Sequence, residues 1–296
     1  MKRRDFLKAA AGTGFYLAAR RLFPQAGETY DVGVAVGTDY PKAVEQAIDL
    51  AGGIRRFVKP GDTVVVKPNM AWNSPPELKA NTDPVIVRTV VHLCFQALAG
   101  TVLVFDRSCN NPRLVYVTSG IMEAAREAGA KVLYVNDVTK KLYPSITIPG
   151  ATFLEETTVN RHVLEADAFI NLPVAKDHGS AGLTIGMKNL MGITGDNRSR
   201  WHWKLHEAIS DINLGVKPHL TVVDATNIMV RNGPTGGRPE YLKRTDTVIA
   251  SPDVVAADTE AAGLFDRDLS RVEHLSLGAG KGVGRMSGYT RKVVRV

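Results

Sequence analysis

Five short apolar runs, each ended by polar residues, constrain this chain more than any other feature. Thr63 to Val66 runs into Lys67, Pro68 and Asn69, and Thr101 to Phe105 into Asp106, Arg107 and Ser108. Lys131 to Val135 runs into Asn136 and Asp137, Ala168 to Ala175 into Lys176, Asp177 and His178, and His219 to Val223 into Asp224, Thr226 and Asn227. Runs this short and apolar on both faces read as buried strands. The segments between them predict helices: Lys42 to Val58, opened by Pro41; Pro84 to Leu98; Leu114 to Ala128, ending at Gly129; Trp203 to Leu214; and Pro252 to Leu264, with Ser251 as its cap. Strand and helix in alternation predict an α/β fold, a mainly parallel sheet with helices on both faces. Further strands are expected at Asp31 to Val36, Thr247 to Ala250 and Arg291 to Val296. Residues 143–160, with Ile146, Ile148 and Phe153 alternating, predict an extended excursion or smaller lobe.

If the strands are parallel, their five polar tails share one edge, where open α/β sheets hold ligands. The stretch from Ala166 to Asn197 is the densest part of that edge. After His178 come a small-residue turn and an apolar segment that carries Lys188 and Asn189 and reads as helical. Lys67, Asp106, Lys176, His178, Lys188 and Asn189 are expected to converge on one cleft, with Asn69 and Asp224 beside them. Three readings of the charges stand open. Lys67, Lys176 and Lys188 suit a carboxylate or phosphate. Asp106, Asp177 and Asp224 with His178 suit a hard divalent metal such as Mg²⁺, Ca²⁺ or Mn²⁺. The same six charges could instead pair internally and position the loops.

The ordered set of motifs resembles the domain of unknown function 362 family. It comprises Lys67-Pro68-Asn69, Asp106, Leu172 to His178, Lys188-Asn189-Leu190-Met191-Gly192, His206, Val223-Asp224-Ala225, Asn232-Gly233-Pro234, and Ser251-Pro252-Asp253 with Asp258. The resemblance covers residues 30–285 and implies an α/β fold without a settled activity. Many relatives carry a ferredoxin-like four-cysteine insert. This chain has two cysteines, so no iron–sulfur cluster is expected. A looser resemblance to lactate-racemase-type nickel enzymes, which use Lys and His in an α/β setting, makes isomerisation conceivable.

A second candidate site lies at His202 and His206, four residues apart and hence on one face of the expected helix, a spacing that suits zinc. Asp177 or Asp211 would complete it. The alternative is a pair of surface histidines beside a packed tryptophan. Gly278 to Gly284 is glycine-rich but matches neither a dinucleotide fingerprint nor a phosphate loop. Neither cysteine stands in an evident electropositive niche. A bridge between Cys94 and Cys109 is not expected. The chain reverses between helix and strand, and Cys109 overshoots Cys94 by more than ~10 Å.

The N-terminus reads as an address. Lys2 to Lys8 resembles a twin-arginine export signal, and the apolar stretch Ala9 to Ala19 is too short to span a membrane. Residues 1–26 are therefore taken as a signal segment, exported to the periplasm or its equivalent, with 30–296 as one α/β domain. An uncleaved segment would be the only membrane contact. The signal also accounts for most of the charge. The chain is formally +7, and residues 1–21 hold six basic side chains and one acid, +5, which leaves +2 for the rest. So slight an excess gives no reason to expect nucleic acid as a partner. Two function classes follow: an enzyme acting on a small anion, with Lys67, Lys176 or Lys188 binding it and His178 or Asp106 moving a proton, or a non-catalytic exported binder of a cofactor or metal.

Overall fold

The computed structural model describes residues 28–135 and 138–296. The expected signal segment, residues 1–26, and the Asn136-Asp137 pair lie outside them. The strands are β1 (Val32–Val36), β2 (Thr63–Pro68), β3 (Thr101–Val104), β4 (Lys131–Val132), β5 (Ser145–Thr147), β6 (Glu156–Thr158), β7 (Ala168–Leu172), β8 (Val174–His178), β9 (Gly182–Thr184), β10 (Leu220–Met229), β11 (Leu242–Ser251) and β12 (Arg291–Arg295).

The main sheet runs β12-β1-β11-β10-β7-β2-β3-β4. Strands β4, β3, β2, β7 and β10 are mutually parallel, so their carboxyl ends share one edge. β11 is the exception, antiparallel to both β10 and β1. Successive strand residues alternate between two cores. Val65, Leu103, Phe169, Val223 and Ile249 pack with the helices Leu205–Gly215 and Val254–Ala262. Val64, Val66, Val104, Ile170 and Val222 pack with the helices Tyr40–Leu50 and Pro84–Gln96. Helices therefore cover both faces, as parallel sheets require. Residues 143–160 contribute the two-stranded β5–β6 sheet. Among the described residues, no helix is long and apolar enough to cross a membrane.

Several boundaries differ from expectation, each for a local reason. The helix expected over Lys42 to Val58 breaks into Tyr40–Leu50 and Ile54–Phe57, because Gly52 and Gly53 take positive φ. Leu114 to Ala128 likewise divides at Gly120, φ 70°. Asp253, not Ser251, caps Val254–Ala262 by accepting from the Ala256 N–H.

The run from Ala168 to Ala175 is not one strand. Pro173 lacks an N–H and ends β7. β8 then resumes alongside β10, at Asp224, beyond the edge of β7. Lys176, Asp177 and His178 are strand residues of this extension and not a loop, and β8 turns back as a hairpin into β9.

Candidate functional site

The β8 extension forms one wall of a cavity of about 430 Å³ at the carboxyl edge. β2 delivers Lys67 and Asn69 from the floor, and Asp106 follows β3. The helix Gly186–Asn189 brings Lys188 and Asn189. Asp258 fixes the start of that helix, accepting from the Gly186 and Met187 N–H groups at 2.7 and 2.8 Å. Lys67, Asn69, Asp106, Lys176, His178, Lys188 and Asn189 all line this cavity.

The floor is a closed polar network. Lys67 is fully buried and its Nζ lies 2.8 Å from Asp106 Oδ1. The same Nζ donates to Pro68 O and to Asn189 Oδ1, each at 2.9 Å. Asp106 Oδ2 accepts from the Met70 N–H. Asn69 Nδ2 donates to Asn189 Oδ1, and Lys176 Nζ donates to Asn69 Oδ1 at 3.0 Å and to Ala80 O. Asn189 Nδ2 donates to Asn171 Oδ1. Gly192 closes over the ion pair. A Cβ there would sit 1.9 Å from Asp106 Oδ1, so only glycine fits.

Charge is the dominant property of the walls. Lys67, Lys176, Lys188, Arg107 and Arg198 line the cavity with a single carboxylate, Asp106. Arg107 donates to Thr194 O and Asp196 O, and Arg198 to Arg107 O and Ser108 O, all neutral carbonyls. Among the described residues Lys188 has no ion pair. Burial pulls Lys188 down to about 8. Burial and the Lys188 charge together pull Lys176 down to about 7. Burial also lowers Lys67, against the pull of Asp106.

His178 is lowered to about 3, first by burial and then by Lys188 and Lys176. Its Nδ1 accepts from the Ser180 and Ala181 N–H groups. The neutral ring therefore carries its proton on Nε2. That makes His178 a hydrogen-bond donor, and the expectation that it acts as a base does not fit its surroundings. Asp106 is equally occupied, by Lys67 and Met70.

Three sequence candidates fall outside this cavity. Asp224 is buried within β10 and accepts from the Asp83 and Thr226 N–H groups, near the Lys79–Asp83 pair. Asp177 pairs with Arg267 and accepts from Gly233 N–H at 3.0 Å. His206 lines a second cavity on the far side of the β8–β9 hairpin. Its Nδ1 lies 3.1 Å from Nδ1 of His274, a buried residue that sequence reasoning missed.

His202 does line the cationic cavity, but from a 3-10 segment, Arg198–Lys204, that precedes the helix. His202 and His206 thus share no helical face. Among the described residues no group of three or more His, Cys, Asp or Glu is placed to hold a metal ion.

Sequence reasoning also overlooked Arg107, Arg198 and Cys109 as cavity residues. Arg107 carried a signal, standing beside Asp106 at a strand end. Arg198 carried none. Both cysteines are free, Cys94 buried and Cys109 exposed. Cys109 sits in the electropositive niche that the sequence concealed.

One family model, described as a domain of unknown function (DUF362), matches residues 64–263. A thylakoid-associated protein of Synechocystis sp. is 27% identical over 231 residues, covering 73% of this chain and 67% of that protein. Among solved structures, the lactate racemase apoprotein of Thermoanaerobacterium thermosaccharolyticum aligns with 82% of this chain and 58% of its own, at 10% identity and a TM-score of 0.46. A crystal structure from Thermotoga maritima aligns with 81% and 58%, at 12% identity and a TM-score of 0.44. The chain spans less than two thirds of either solved protein.

Proposed function

The chain belongs to the DUF362 family, and we propose that its cavity binds a small anion, a carboxylate or a phosphate, and moves a proton on it. The observation that carries this is Lys188, which lines the cavity and has no ion pair among the described residues. Lys188 is half-buried at the cavity wall, and an ammonium partly withdrawn from water with no acidic partner gains its counter-charge from an anionic ligand. Arg107 and Arg198 add positive field from fixed positions, and His178 offers a neutral N–H. Asp106 positions Lys67 through their ion pair.

Proton transfer falls to the lysines. Ammonium groups brought to about 7 and 8 exchange protons at neutral pH. Isomerisation of a small hydroxy or oxo acid is chemistry that such a cavity could serve. We further propose export by the twin-arginine route, consistent with Arg3-Arg4 and with the thylakoid association of the Synechocystis relative.

Calorimetric titration with phosphate, lactate and pyruvate tests the binding. At least one should bind at low ionic strength, and Lys188→Met should weaken it roughly 100-fold, about 2.7 kcal/mol. The variant should fold at least as well as the parent, because it loses an uncompensated charge. No binding to the parent, or unchanged binding to the variant, would remove this reading.

A further inference from the structure

We propose that Lys176 is the nucleophile of this cavity and joins the carbonyl carbon of a 2-oxo acid as an imine. The proposal rests on the anion-binding reading, since the neighbouring cations would hold the acid's carboxylate.

Three lysines line one cavity, and their hydrogen bonding sets them apart. Lys67 donates to two acceptors, Pro68 O and Asn189 Oδ1, and forms an ion pair with Asp106 Oδ1 at 2.8 Å. It is tied in place as a cation. Lys188 has no acceptor and no ion pair among the described residues, and it remains free to meet a carboxylate. Lys176 is intermediate. Only 1% exposed, it has two acceptors, Asn69 Oδ1 and Ala80 O, and both are neutral. A neutral amine has two N–H bonds, which these acceptors engage, and one lone pair left over.

Removal from water and a second cation nearby both favour the amine, and that is how lysine nucleophiles are activated. With the group brought down to about 7, the amine form is accessible at neutral pH.

The ligand class follows from the pairing of a free cation with a free amine. A 2-oxo acid carries an anionic group and an electrophilic carbon on adjacent atoms. A cavity of about 430 Å³ admits such a small molecule. The Lys176 Nζ lone pair adds to the carbonyl carbon, and one amine proton passes to the oxygen. That oxygen leaves as water with the second amine proton, as the C–O bond breaks and C=N forms. No oxidant or reductant is consumed. A proton from solvent then gives the iminium; the adjacent C–H passes its proton to solvent water, and its electron pair forms the C=C bond of the neutral enamine. The proton transfer proposed above acquires an electron sink in this way.

Reductive trapping tests the proposal. The full chain is incubated with pyruvate or 2-oxoglutarate and borohydride, and the adduct is located by peptide mass mapping. One reduced adduct on Lys176 is expected, forming faster as pH rises through about 7. Lys176→Arg should abolish it, and Lys188→Met should slow it about tenfold or more. Calorimetric binding of either acid without an adduct, or an adduct on Lys188 or on surface lysines instead, would overturn the imine and leave the anion site standing. Absence of all anion binding would remove both. The wild-type mapping needs no variant, so a folding defect in a mutant cannot mask the result.

Discussion

Replacing Asp106 with Asn isolates the electrostatics of the cavity floor, because the substitution keeps shape and removes only charge. Lys67 Nζ and Asp106 Oδ1 are 2.8 Å apart, and both side chains are all but inaccessible, at 1% and 2%. Coulomb's law at that separation gives ~6 kcal/mol for an effective dielectric of 20. The full loss is not realised, because Lys67 can shed its proton instead. From its ordinary value of 10.5, deprotonation at pH 7 costs ~5 kcal/mol at 1.36 kcal/mol per pH unit. That sets a ceiling, and broken buried pairs typically cost ~3–5 kcal/mol. At pH 9 the same ceiling falls to ~2 kcal/mol. In the variant, the unfolded lysine binds a proton that the folded one does not, so the variant's stability rises with pH relative to the parent. Urea unfolding of parent and variant at pH 7 and pH 9 measures both differences. Adding Lys67→Met to Asp106→Asn should recover most of the loss. A loss below ~1 kcal/mol at pH 7, or one equal at the two pH values, would refute the reasoning.

Three further outcomes are expected. His274 is held down to about 3, chiefly by burial and then by His206, so the unfolded chain takes up a proton below pH 6.5 that the folded chain refuses. Stability should therefore fall by ~1.4 kcal/mol per pH unit between 6 and 4 on this account, and His274→Gln should remove that slope from urea midpoints. Thiol titration should find two free thiols. Cys109 should react in the native protein and be protected by phosphate, whereas Cys94 should react only after denaturation; equal reactivity of both in the native state would contradict their burial. Arg3→Lys with Arg4→Lys should retain the precursor in the cytoplasm of a host with the twin-arginine machinery, and unchanged export measured by fractionation would refute that route.

The site was more legible than the elements around it. Polar groups after Val66, Phe105 and Ala175 stood out because buried strands tolerate them only at their ends, and parallel strands bring those ends together. The same reasoning placed Asp224 wrongly. β10 continues to Met229, well past the edge, and Asp224 is consumed inside the fold by Asp83 and Thr226. The paired histidines failed because a four-residue spacing implies a shared face only in a continuous α-helix, and the 3-10 segment before Leu205 breaks that periodicity.

By itself, the sequence determined the α/β alternation, the mainly parallel sheet and the convergence of Lys67, Asp106, Lys176, His178, Lys188 and Asn189. These follow from local patterns of polarity and from the rule that joins parallel strands at one edge. Only the tertiary structure decided which charges are spent and which are free. Asp177 meets Arg267 across 90 residues of chain, Lys67 meets Asp106, and Lys188 has no carboxylate partner among the described residues. Pairing depends on distances of a few ångströms between segments remote in sequence. Burial then multiplies its consequence, because a charge is screened in water but must find a partner, or surrender its proton, in the interior.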